Sequence, residues 1–213
     1  MERVVIAPPV VIDEEARSCS AADNDNHGML REPFIRYVQL GNAFDNSTQS
    51  GNHRNALYNV NHHVDQVPLG SPSVFNFFQS DYQPIGRIEA AGMVAPEFQI
   101  TNTQTIAGYF NGLNEWLIDQ HYVDAWGIYG GEPDYPQDIG QFDFTDEIAL
   151  ADAGRFDQLV ERLNLILAHG KLTSVTQGAI TSLIETAVIE DNSDRVRLAI
   201  YLVMASPEYL INR

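Results

Sequence analysis

Trp126, Tyr129 and Tyr135 lie among Asp124, Glu132 and Asp134, and no lysine or arginine occurs between Arg87 and Arg155. Flat rings stack on sugar faces, and carboxylates accept the hydrogen bonds of sugar hydroxyls, so this set has the composition of a glycan-binding patch. Aromatic rims with a few polar groups are also how protein interfaces gain affinity. The plainer reading is that such rings anchor loops to a helical core, and Trp116, just upstream, has the helical spacing to do so. Further acids follow at Asp138, Asp143, Asp146 and Glu147. Hard cations such as calcium take several oxygen ligands from flexible loops, which makes Asp134, Asp138 and Asp143 candidate ligands, although the spacing is not that of an EF-hand. Asp146 and Glu147 suit a helix N-terminus, where a negative charge meets the positive end of the dipole. A glycosidase needs two carboxyl groups about 5–10 Å apart across a sugar, a separation that spacing along the chain leaves open.

No catalytic motif accompanies these groups. The chain lacks a Gly-x-Ser-x-Gly elbow, a phosphate loop, a paired-cysteine zinc site and a His-Glu-x-x-His helix. His53, His62 and His63 share one polar loop and could bring two imidazoles to a transition metal. His169 precedes Gly170, a helix end that favours a cation. Cys19 is the only cysteine, so no intrachain disulfide forms. The sequence assigns no catalytic residue, leaves open whether the chain is an enzyme, and implies no cofactor other than calcium at the acids above.

The elements that must position these residues are helices and long loops. The chain has 213 residues and 44% hydrophobic content, enough for a sizeable core. Its 12 Lys+Arg against 29 Asp+Glu give a formal net charge of −17. That balance opposes binding to nucleic acid, which needs a basic face, and docking on an anionic membrane. No apolar run is long enough to span a bilayer, and the N-terminus is not a signal peptide, because its short apolar run is broken by Pro8 and Pro9. Residues 1–27 read as an extended, loose arm, and 28–213 as one helical domain.

A first helix starts near Arg31, with Pro33 tolerated in its first turn. Thr101 and Gln104 are spaced as a capping box, followed by Ile106, Tyr109, Phe110, Leu113, Trp116 and Leu117 at helical spacing. A third helix runs over 154–168, with Gly170 as its terminating glycine. Ser174 and Gln177 suggest another box, with Ala179, Ile180, Leu183, Ile184, Ala187 and Val188 as the buried face. The last helix starts at Ser193 or Asp194; Val196, Ala199, Ile200, Val203 and Met204 line one side and Leu198, Tyr201 and Leu202 widen it, as in a helix buried on most sides. The strand signal is poor, so the class is mainly α, an irregular helical domain with long ordered, aromatic-rich loops.

One of those loops is distinctive. Residues 71–101 read SPSVFNFFQSDYQPIGRIEAAGMVAPEFQIT. Pro72, Pro84 and Pro96 forbid a continuous helix through it. Ser73 and Asn76 suit turns, where their side chains satisfy backbone groups. Phe75, Phe77, Phe78, Tyr82 and Phe98 read first as anchors in the core, and second as a surface for another protein segment.

The pattern of Ser71, Pro72, Ser73, Phe75, Asn76, Phe77, Phe78 and Tyr82, followed by Pro96, Glu97 and Phe98, resembles the signature of the bacterial "domain of unknown function 1800" family. LREPFIR at 30–36, LNLILAHGKLT at 163–173 and RVRLAIYLVMASPEYLINR at 195–213 are similar to further elements of that family, in the same order. The resemblance runs from about Val11 to the end. It implies the C-terminal half of a larger helical domain, whose N-terminal half has no counterpart here. It also implies an extracytoplasmic setting and a neighbouring gene for a sulfatase-like protein, and it transfers no catalytic residue. The function expected is a non-catalytic scaffold or interaction module, docking its own N-terminal half or the sulfatase-like neighbour. The alternative is a part of an extracytoplasmic hydrolase or glycan-binding protein that uses the loop 116–147.

Overall fold

In the computed structural model, residues 28–45, 63–118 and 142–212 are described. The N-terminal arm expected over 1–27 lies outside them. The described residues form eight α-helices and little strand, the mainly α class expected from the sequence. In chain order these are β1 (Met29–Leu30), α1 (Pro33–Ala43), α2 (Arg87–Ala90), a 3-10 helix (Pro96–Ile100), α3 (Thr103–Leu117), α4 (Thr145–Asp152), α5 (Phe156–Ala168), α6 (Ser174–Thr186), α7 (Asn192–Ala205), α8 (Pro207–Leu210) and β2 (Ile211–Asn212).

Helix α7 is the centre of the packing and touches α3, α4, α5 and α6. Its stripe Val196, Ala199, Ile200, Val203 and Met204 is wholly excluded from solvent. Each larger side chain of that stripe contributes about 1.5–3 kcal/mol by leaving water. From α5, Leu159, Val160, Leu163 and Leu167 face it, and from α3, Leu113 and Leu117.

The caps sit one residue away from their expected positions. Asn102, not Thr101, caps α3: its Oδ1 accepts from the amides of Gln104 and Thr105, and Thr105 Oγ1 accepts in return from the Asn102 amide at 2.9 Å. Asparagine outranks threonine at this position, so where the two are adjacent the helix starts after the asparagine. Thr173, not Ser174, caps α6, and Asp191 caps α7. The face expected for α6 is also too wide: only Ile180 and Ile184 are buried, Leu183 is exposed, and Val188 lies past the helix end at Thr186. Ile106 on α3 is likewise half in water. At the end of α5 the expected stop is present: His169 and Gly170 take φ of 54° and 76°, and the Gly170 amide donates to the Asn164 carbonyl.

Three tyrosines far apart in sequence lock the helices together. Tyr37 of α1 donates to the Tyr109 carbonyl of α3 at 3.0 Å. Tyr109 donates to the Met204 carbonyl of α7 at 3.0 Å, and Tyr209 of α8 donates back to the Arg36 carbonyl of α1 at 3.1 Å. The three bonds close a ring of elements. Two buried arginines fill it: the Arg31 guanidinium lies 4.3 Å from the centroid of the Tyr209 ring, and that of Arg36 lies 4.6 Å from Tyr109. Burial lowers the pKa of Arg36 and raises those of all three phenols, Tyr209 to about 12. Two glycines on α3 make room. A Cβ at Gly112 would meet the Tyr37 hydroxyl at 2.3 Å, and one at Gly108 would meet the His63 carbonyl oxygen at 1.9 Å.

The ends of the described chain meet in this clasp. Leu30 pairs with Ile211 in the antiparallel β1–β2 ladder, and the Arg31 amide donates to the Leu210 carbonyl at 2.8 Å. Arg31 and Gln39 both donate to the Leu167 carbonyl at the C-terminus of α5, where free carbonyls await donors.

Candidate functional site

The segment 71–101 is built from turns fastened by its own polar groups. Ser73 Oγ accepts from the Phe75 amide at 3.1 Å, and the Asn76 amide donates to the Ser73 carbonyl. Asn76 takes φ of 73°, a left-handed conformation that asparagine tolerates better than most residues. Gln99 Oε1 accepts from the Gln79 amide at 2.7 Å, and the Ala95 amide donates to the Tyr82 carbonyl at 2.9 Å, so the two ends of the segment hold each other. Gly86 and Gly92, both with positive φ, frame the single turn of α2. Pro96 then opens the 3-10 helix that leads into the cap of α3.

This frame presents its apolar side chains outward. Phe75 is 77% exposed, Val74 95% and Ile85 95%. Phe77, Phe78, Tyr82 and Phe98 are half-buried. None of the five signature rings enters the core, so the expectation that they anchor the segment there is not met. The anchoring falls instead to Ala95 and Glu97, which are buried at the base of the segment. A cavity of about 670 Å3 opens between the rings and this base, with Phe75, Phe78, Gln79, Asp81 and Glu97 in its wall. Ser71 and Pro72 stand in water beside it.

Glu97 is the unusual group of the site. It is 5% exposed, and its Oε2 has no hydrogen-bond partner. Loss of water raises its pKa above the ordinary carboxylate range, and the nearby charge of Glu32 adds to the effect. Glu32 itself accepts from Gln66 Nε2 at 2.6 Å, while Gln66 Oε1 accepts from the Phe34 amide.

The other sequence candidates divide into two groups. Asp124, Trp126, Tyr129, Glu132, Tyr135, Asp134 and Asp138 lie outside the described residues, as do His53 and His62. At the flanks of that loop the described groups have structural partners. Trp116 is buried with its ring edge-on to Tyr37 at 5.1 Å. Asp143 is exposed, and hydrogen bonds from the Thr145 side chain and then from the Thr145 amide, which donates to Oδ1 at 2.9 Å at the start of α4, lower its pKa. Arg162 of α5 bridges the acids that follow, Asp146 at 3.0 Å and buried Glu147 at 2.5 Å, so a side-chain cation already lies between them. His63 pairs with Glu115 at 3.1 Å. Among the described residues no three His, Cys, Asp or Glu side chains gather as a metal site.

Fold and site together define a mainly α-helical domain that carries on its surface an aromatic segment of turns and short helices. The chain belongs to the family described as "Protein of unknown function (DUF1800)", which matches residues 7–211. No curated protein and no solved structure matches it. Among the described residues, no helix is long and apolar enough to cross a membrane.

Proposed function

We propose that the protein is an interaction module, and that the segment 71–101 is its docking face for a helical protein segment, namely the N-terminal half that the family resemblance implies. The observation that supports this reading is the outward presentation of Val74, Phe75 and Ile85 on a backbone fixed by its own hydrogen bonds. A loop that needed rings only for its own stability would turn them inward, since each buried ring contributes up to about 3 kcal/mol. Rings held outward on a rigid frame keep that free energy for a partner, and pre-ordering lowers the entropic cost of association. Large aromatics near the centre of a patch are the side chains that dominate interface affinity. The compartment that goes with this reading is the extracytoplasmic one that the resemblance implies.

The test uses the purified full chain with p-benzoylphenylalanine at position 75 and a purified N-terminal half from a member of the family. Photolysis should join the two through residue 75, and unlabelled chain should compete. A chain that crosslinks only to its own copies, with sedimentation showing a dimer, would mean the face serves self-association and would overturn the assignment of partner.

A further inference from the structure

We propose that the proline-centred stretch 4–12 of this same chain, VVIAPPVVI, lies in the aromatic groove of the segment 71–101 and competes there with the docked protein. This rests on the docking role above and gives that face a regulator within its own chain. The groove, of about 670 Å3, has Phe75, Phe78 and Pro96 in its wall. Phe75 is largely in water, as are Val74 and Ile85 of the same segment. Grooves lined by aromatic rings take proline-rich segments, because a chain already held extended by its prolines loses little entropy on docking. Pro8 and Pro9 are the only adjacent prolines of the chain, and the nine residues around them carry no charge and no polar side chain.

The path of the chain brings the two together. The described fold begins at Gly28, one residue before β1, and β1 packs against the 3-10 helix Pro96–Ile100 with Cα atoms within 8 Å. Pro96 of that helix stands in the groove wall. The intervening residues 13–27 can span at most about 50 Å, several times that step. A tether of this length gives an effective concentration of about 1 mM. A contact too weak to hold a separate peptide is therefore populated within the chain. A partner must displace it, and its apparent affinity falls by the fraction of grooves left open.

The test photolyses the full chain alone, with p-benzoylphenylalanine at position 75, and digests it with trypsin. Mass spectrometry should find the tryptic peptide 4–17 joined to the peptide 55–87, in a yield that stays constant over a tenfold dilution. The double variant Val10→Asp, Val11→Asp puts two charges into the apolar contact and should cut that yield about fivefold. By emptying the groove it should also tighten binding of the N-terminal half about threefold in calorimetric titration. An adduct only to other peptides, a yield that falls on dilution as a second copy would give, or an unchanged yield in the double variant would overturn the proposal. The crosslink to the N-terminal half reads separately. That crosslink without the adduct at 4–17 would sink the contact within the chain and leave docking intact, whereas the adduct at 4–17 without that crosslink would do the reverse.

Discussion

Two aromatic clusters of this chain are put to opposite uses. In the clasp of α1, α3, α7 and α8, Tyr37, Tyr109 and Tyr209 are buried, and each donates its hydroxyl to a carbonyl of another element. In the segment 71–101, Phe75, Phe77, Phe78, Tyr82 and Phe98 are exposed or half-buried. The difference follows from the backbone beneath. Helices satisfy their own backbone groups, so their side chains are free to fill a shared core. The proline-broken segment needs Ser73 and Gln99 to hold its turns, and its rings are left to point outward. Aromatic richness thus marks stability in one region and an available surface in the other.

The largest effect should come from breaking the clasp. Tyr209→Ala removes a buried ring, its hydroxyl bond and the face under Arg31, and should cost about 4 kcal/mol in urea unfolding. Gly108→Ala drives a methyl group into the His63 carbonyl and should cost about 3 kcal/mol. If either left the unfolding midpoint unchanged, the clasp would not be a pillar of the fold.

A smaller effect separates the regions by pH. Glu97 of the segment has a raised pKa, while Glu208 of α8 has a lowered one, because bonds from Thr176 and Thr173 outweigh its own desolvation. The signs are opposite. The penalty at Glu97 is present above its raised folded pKa and is relieved as pH falls below the ordinary value of 4.5. The contribution of Glu208 is present above 4.5 and is lost as pH falls through its lowered folded pKa. Glu97→Gln should therefore stabilise the chain at pH 7 by about 1–2 kcal/mol, and the gain should vanish near pH 3. Glu208→Gln should destabilise at pH 7 by about 1 kcal/mol, with that loss shrinking in acid. Equal and pH-independent effects in denaturation curves at the two pH values would contradict these environments.

The helices were legible because their stripes repeat at 3.6 residues: Val196, Ala199, Ile200, Val203 and Met204 of α7 are buried as read, while Leu198, Tyr201 and Leu202, read as widening that face, are half-buried. The width and the end of a stripe were not, since Leu183 shares the apolar period of α6 yet is exposed, and Val188 lies beyond the last turn of that helix. The clasp was invisible for a different reason. Tyr37, Tyr109 and Tyr209 carry no local signal of one another, because their bonds bridge separations of 72, 95 and 173 residues. Gly108 and Gly112, four apart on α3, were the one available hint of a close approach. The segment 71–101 was recognised from its pattern, yet burial depends on the surrounding shape, and hydrophobicity alone pointed its rings to the wrong side. The acidic–aromatic residues from Asp124 to Tyr135 lie outside the described structure.

The smallest effect on stability should accompany the largest effect on association. Phe75→Asp changes an exposed side chain, so its unfolding free energy should stay within about 0.5 kcal/mol of the parent. Measured by calorimetric titration against the N-terminal half proposed as its partner, taken from a member of the family, the same variant should lose at least about tenfold in affinity, as truncation at an interface anchor does. A Phe75→Asp chain that bound as tightly as the parent would contradict the docking face.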